Sequence, residues 1–147
     1  MSAAVATIGY EGATPDRMIA ALREAGVATL VDVRALANSR RPGFSKRALA
    51  EALEGAGIAY LHMPALGTPA AGRVAARTGR PAEMRRIFGA HLKGVEAQAA
   101  LAELGDRARR EAVCLMCLEA DPAQCHRTLV AEALGLPIRH LDPAAAP

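Results

Sequence analysis

The sequence has no tryptophan and only four other aromatic residues, Tyr10, Phe44, Tyr60 and Phe88. A core must therefore be assembled mainly from Ala, Leu, Val, Ile and Met, and a surface that binds single strands by stacking their bases would have few platforms. Cysteine is also scarce: Cys114, Cys117 and Cys125 are odd in number and crowded into one short stretch. That is a poor framework for a disulfide-stapled fold and leaves thiols or metal ligands. Long apolar runs are missing as well. Arg, Glu, Asp or Gly interrupts every one before it reaches the roughly 18–20 residues that span a bilayer. The first residues, Met-Ser-Ala-Ala-Val, lack the basic start and apolar stretch of a secretory signal. The expectation is a cytoplasmic chain with no membrane partner.

What is present is one domain's worth of chain. The 147 residues are enough to bury a core without staples, and an Ala/Pro tail at 144–147 is expected to fray. Formal net charge is only +3, yet it is unevenly spread. Residues 33–50 carry Arg34, Arg40, Arg41, Lys46 and Arg47 with no acid, and residues 66–93 carry Arg73, Arg77, Arg80, Arg85, Arg86 and Lys93 against Glu83 alone. Such a distribution gives a basic side and an acidic remainder. It fits an anion site, or Arg-rich loops that are merely solvated.

Short apolar runs alternate with helical stretches. A β-branched run at 5–8 precedes Thr14-Pro15-Asp16, which supplies a helix N-cap, a proline at the first helical position and an acid in the first turn. Residues 29–33 read as a strand covered on both faces, Ser45 as the cap of a second helix, and residues 58–63 as a third strand. Residues 64–81 read as a long connection with one helical turn at 72–78. Helices are expected at 82–92 and 95–110, a fourth strand at 113–118, a last helix from Pro122, and a fifth strand at 137–141. Strands alternating with helices specify parallel neighbours joined by helical crossovers. The fold class is therefore α/β, a single Rossmann-like three-layer domain with a mostly parallel sheet of about five strands.

In such sheets ligands bind beyond the carboxyl ends of the strands. Those positions are unusually polar here: Gly9, Tyr10 and Glu11 after strand one, Asp32 and Arg34 after strand two, His62 after strand three, Cys117 and Glu119 after strand four, His140 and Asp142 after strand five. Strand alternation puts Cys117 on one face and Cys114 on the other, making Cys114 a core thiol. The Asp121-Pro122-Ala123-Gln124 capping box predicts a helix whose second turn carries Cys125, His126 and Arg127.

Several readings of this cluster compete. Cys117 or Cys125 can be a nucleophile assisted by His126, with Asp32 completing a catalytic set. Cys117, Cys125 and His126 can bind a metal, with His62 or Glu119 as fourth ligand. The same residues can also be structural, with Arg127 paired to Glu119 or Asp32, and Asp32 paired to Arg34. For a ligand, the candidate contacts are Tyr10, Arg34, Arg40, His62, Glu119 and Arg127. The leading expectation is an enzyme or binding protein for a small anion of phosphate or nucleotide type; the alternative is a nucleic-acid-binding module using the basic loops. No motif specifies a cofactor.

Taken in order, Thr7-Ile8-Gly9-Tyr10, Val31-Asp32-Val33-Arg34, Ser39-Arg40 with Pro42 and Phe44, His62 with Pro64 and Leu66-Gly67, then Cys117, Glu119 and Cys125-His126-Arg127 resemble the bacterial and archaeal family called domain of unknown function 488. The resemblance spans nearly the whole chain, and the Cys-His-Arg triplet is its clearest mark. It implies a compact α/β domain with the motif residues gathered on one side, and no agreed activity. A fainter similarity is to rhodanese, which also has Asp-Val-Arg after a strand and a cysteine at a later strand end. The residues after Cys117, Leu-Glu-Ala-Asp-Pro-Ala, are not the Gly- and Arg-containing loop of that enzyme, so sulfur transfer stays a minor alternative.

Overall fold

Residues 113–117 read Val-Cys-Leu-Met-Cys, apolar on both sides of the pleat. The strand they form, β4 (Val113–Cys117), is buried at every position and lies at the centre of the sheet. A computed structural model describes residues 3–143; the tail at 144–147 lies outside the described residues. Around β4 stand β1 (Val5–Gly9), β2 (Thr29–Asp32), β3 (Ala59–His62) and β5 (Ile138–Leu141), in the order β3-β2-β4-β1-β5. All four pairings are parallel. The register matches Gly9 with Cys117 and Asp32 with Met116, so the ends of the three inner strands are level.

Two helices cover one face, α1 (Pro15–Glu24) and α2 (Lys46–Gly55); the other carries α3 (Ala70–Arg77), α4 (Pro81–Leu92), α5 (Val95–Arg110) and α6 (His126–Ala133). Each face has its own apolar cluster. Ile8, Leu30, Cys114 and Met116 meet Met18, Leu22, Leu49 and Leu53, while Val31, Leu115 and Cys117 meet Ala75, Met84, Phe88, Leu104 and Val130. A side chain such as Leu115, fully buried, contributes about 1.5–3 kcal/mol by leaving water. The start of α1 follows its sequence: the Thr14 hydroxyl accepts from the Arg17 amide at 3.2 Å, and Pro15 opens the first turn.

Two local expectations are corrected. The connection after β3 holds a 3-10 turn at Pro64–Leu66 and the two-turn helix α3, because Ala75 is an apolar residue that packs into the core and draws its neighbours into helix. The capping residue Asp121 does accept from the Ala123 amide, at 2.9 Å, but it starts only a 3-10 turn, Pro122–Gln124. The chain then passes through extended backbone at Cys125 (φ −122°, ψ 138°), and α6 begins at His126. Of the four aromatics, Tyr10, Phe44 and Phe88 are buried and Tyr60 half-buried, and Tyr10 stacks on Phe44 with ring centroids 4.5 Å apart.

Strand β5 is tied to β1 by Thr7, fully buried, whose hydroxyl meets His140 Nδ1 at 2.5 Å. Partial burial and the nearby Arg127 charge lower the His140 pKa below its ordinary value, against a smaller upward pull from Glu132. The fold thus favours the neutral ring. Its contribution to stability is complete above the ordinary histidine pKa, near 6.5, and is lost as pH falls from there through the lowered value. In chemical denaturation at stepped pH, His140→Gln should lose less stability than wild type between about pH 7 and pH 5; parallel curves would rule out this contribution.

Candidate functional site

Asp32 and Arg34 project from the same side of the chain, one on either side of Val33, and form a buried bidentate pair. Arg34 Nε reaches Asp32 Oδ1 at 2.9 Å and Nη2 reaches Oδ2 at 2.7 Å. The carboxylate also accepts from the Arg34 amide (3.1 Å) and the Tyr60 hydroxyl (2.5 Å). Burial opposes the Arg34 charge, yet the Asp32 partnership outweighs it and raises the pKa; burial and the same carboxylate raise that of Tyr60. Asp32, expected among the catalytic residues, is thus committed to orienting Arg34. The guanidinium Nη1 donates to the Tyr10 hydroxyl (3.2 Å) and the Phe44 carbonyl (2.7 Å). These contacts engage four of its five N–H groups, and the guanidinium also lies against the Tyr60 hydroxyl.

Behind this pair, Cys117, Cys125 and His126 gather so that their potential ligand atoms all lie within 4.8 Å of one another. Neighbouring residues inside a helix diverge by about 100° around its axis. Cys125 and His126 converge because the first is the extended N-cap of α6 and the second its first helical residue. The imidazole Nε2 lies 2.7 Å from the Val33 carbonyl, which can only accept, so Nε2 carries hydrogen and Nδ1 faces the thiols, 3.8 Å from Cys117 Sγ. Phe88 packs edge-on at 5.0 Å between centroids and fixes the ring plane. Contact with Cys125 and burial push the Cys117 thiol up. For Cys125 burial acts upward too, but hydrogen bonds from Cys117 and His126 and the charges of His126 and Arg127 prevail and lower it. His126 is raised: burial pulls it down, and its hydrogen bond with Cys125 more than offsets that.

Glu119, on the loop after β4, has its carboxyl pushed up to about 7, first by burial and then by Cys125. Its buried Oε2 has no hydrogen-bond partner. Arg127 does not pair with this carboxylate. It is fully buried, and its guanidinium donates to the backbone carbonyls of Glu119 and of Ala120, the latter at 3.4 Å. Gly9 makes room for it: a Cβ there would fall 1.8 Å from the Glu119 carbonyl oxygen and 3.0 Å from Arg127 Nη1. Gly67 serves a similar close approach, with Ala35 backbone 2.3 Å from where its Cβ would be.

A cleft of about 270 Å³ opens at the strand ends. Tyr10, Arg34 and Glu119, candidates for ligand contact, and Cys117 and His126, candidates for catalysis, line it together with Thr68, Met84 and two arginines not among the candidates, Arg73 and Arg77. These two sit one helical turn apart on α3 and share its cleft-facing side; the segment had been read mostly as loop, which hid their spacing. Arg73 donates to the Thr68 carbonyl at 2.8 Å. Other candidates lie elsewhere. Arg40 is exposed and outside the cleft, Cys125 is buried behind Cys117, and His62 directs Nε2 at the Arg34 carbonyl, 2.7 Å away.

A parallel sheet between two helical layers, with a Cys/Cys/His cluster and an arginine-lined cleft at its carboxyl rim, defines a Rossmann-like α/β protein. A family model described as "Domain of unknown function DUF488" matches residues 14–134, and the chain belongs to that family. No curated protein and no solved structure matches the chain. Among the described residues no helix is long and apolar enough to cross a membrane.

The placement of Arg127 makes it a stabilising residue. Arg127→Gln should destabilise the protein by on the order of 3 kcal/mol in denaturant melts, since two carbonyls lose a charged donor. Gly9→Ala should cost at least as much, whereas Gly55→Ala, with nothing within 4 Å of the new methyl, should be neutral or slightly stabilising. An Arg127→Gln protein as stable as wild type, but no longer stabilised by phosphate, would return Arg127 to the ligand.

Proposed function

We propose that this protein binds a small phosphate-bearing anion in the cleft at the strand ends, with Cys117 and His126 at its floor as the groups able to act on it. The observation that carries the reading is that Arg34, Arg73 and Arg77 all line one recess. Paired guanidinium forks suit phosphate oxygens, and the low-dielectric walls strengthen each contact. The Asp32 pair holds Arg34 fixed before a ligand arrives, so little ordering entropy is lost on binding. Tyr10, locked by its stack on Phe44, bounds the cleft on the same side. Glu119 lines the same cleft. A recess of this size suits a small molecule better than a polymer track.

Thermal melts in phosphate and in sulfate test the proposal. Wild type should be stabilised, by about 2.7 kcal/mol at a hundredfold excess over the dissociation constant. Arg73→Gln combined with Arg77→Gln should abolish that increment, and Arg40→Gln should leave it intact. Equal stabilisation of wild type and the double variant would discard the cleft as the anion site. Nucleic acid binding, if it were the activity, would appear as affinity for oligonucleotides that falls steeply with salt and depends on Arg40.

A further inference from the structure

We propose that Cys117, Cys125 and His126, with Glu119 as the fourth donor, form a binding site for one zinc-type divalent cation. The inference does not rest on the anion reading: it uses none of the cleft arginines, although Cys117, Glu119 and His126 line the same cleft. Three donors of the kinds zinc prefers come together at the end of β4 and the start of α6, their ligand atoms mutually within 4.8 Å. Ligand atoms on a tetrahedral zinc with ordinary Zn–S and Zn–N bonds are roughly 3.5–3.8 Å apart. The 3.8 Å between Cys117 Sγ and His126 Nδ1 is already at that spacing.

The histidine is prepared as a ligand. Its Nε2–H is held by the Val33 carbonyl, which leaves Nδ1 for the metal, and Phe88 fixes the ring plane. A carbonyl on the far nitrogen is the outer contact that metal-bound histidines ordinarily have. Cys125, as the N-cap of α6, lies where the helix dipole favours a thiolate.

Two orphan groups point the same way. Glu119 Oε2 is buried with no hydrogen-bond partner, beside the cluster. Arg127 is fully buried, its Nη groups meet only carbonyls, its Nε has no partner, and it is in no ion pair among the described residues. A buried guanidinium without a counter-charge is costly. Two thiolates and a carboxylate around a divalent ion carry one net negative charge, which supplies that counter-charge and gives Glu119 Oε2 a partner. His62, the other candidate for the fourth position, is engaged by the Arg34 carbonyl. On binding, each thiol and the carboxyl releases whatever proton it holds to solvent as its metal bond forms, with no change of oxidation state.

The experiment uses the full chain, stripped with chelator, kept reduced, and titrated with Zn²⁺ alone in buffer without phosphate or sulfate. One equivalent should be retained through desalting, with a rise in Tm, and Co²⁺ should give thiolate-to-metal charge-transfer and tetrahedral visible bands. Alkylation of Cys117 and Cys125 should be blocked by the metal. Cys117→Ser and Cys125→Ser should each weaken Zn²⁺ by more than about a hundredfold, beyond what loss of an outer contact causes; Glu119→Gln should weaken it less, and Cys114→Ser not at all. Far-UV circular dichroism reports whether each variant folds. The wild-type spectra decide the matter even if a variant does not fold: absence of cobalt–thiolate absorption, or a reduced protein that retains no Zn²⁺, overturns the proposal. Retention undiminished in folded Cys117→Ser and Cys125→Ser overturns it too. Anion titration of the stripped protein fails or succeeds independently, so the two readings are separable.

Discussion

The carboxyl rim of this sheet is held by a guanidinium that never meets solvent. Arg127 reaches under the loop after β4, donates to two of its carbonyls, and occupies space that only a glycine at position 9 leaves open. This clamp sets how far α6 can stand from β4. With it in place, the N-cap of α6 comes down beside the last residue of β4, and Cys117, Cys125 and His126 converge. Removing the clamp would loosen the loop after β4, leaving it tied by the Ala120 amide to Glu11 and the Glu11 amide to Leu118, and the cluster by the His126 to Val33 contact.

A second constraint acts from β2. Asp32 accepts four hydrogen bonds and is itself fully buried, so its role is to hold Arg34 in one orientation while Tyr60 and Tyr10 close around the pair. A buried ion pair is weak ground for stability, because desolvation cancels much of the attraction. Its value here is positional: Arg34 lines the cleft in one orientation, held by a framework that is already complete.

Most of the architecture was legible from periodicity and caps. Thr14-Pro15 marked α1, the uninterrupted apolar run at 113–117 marked the central strand, and its alternation sent Cys114 and Cys117 to opposite faces, where they are found. The rim itself was legible because parallel sheets place their loops predictably. What failed was local geometry near the site. A capping box looks the same whether a 3-10 turn or an α-helix follows, so the kink at Cys125 left no sign in the sequence. Yet that kink is what lets adjacent Cys and His residues point together. Arg127 is a related case: its charge suggested a ligand, and nothing short of the fold reveals that backbone carbonyls await it. Arg73 and Arg77 were hidden in a segment rich in Gly and Pro, where α3 is held by packing against α4 and by burial of Ala75.

That packing has a mechanical consequence. Helices α3 and α4 form a closely apposed pair; α3 carries the arginines on the cleft wall, and α4 contributes Met84 to the same wall and Phe88 to the face of His126. Tilting this pair away from the sheet would widen the cleft and, in the same motion, release the ring that sets the direction of Nδ1. Admission to the cleft and alignment of the imidazole are therefore one degree of freedom, and a molecule that draws α3 inward through its arginines tightens the geometry at the thiols without touching them.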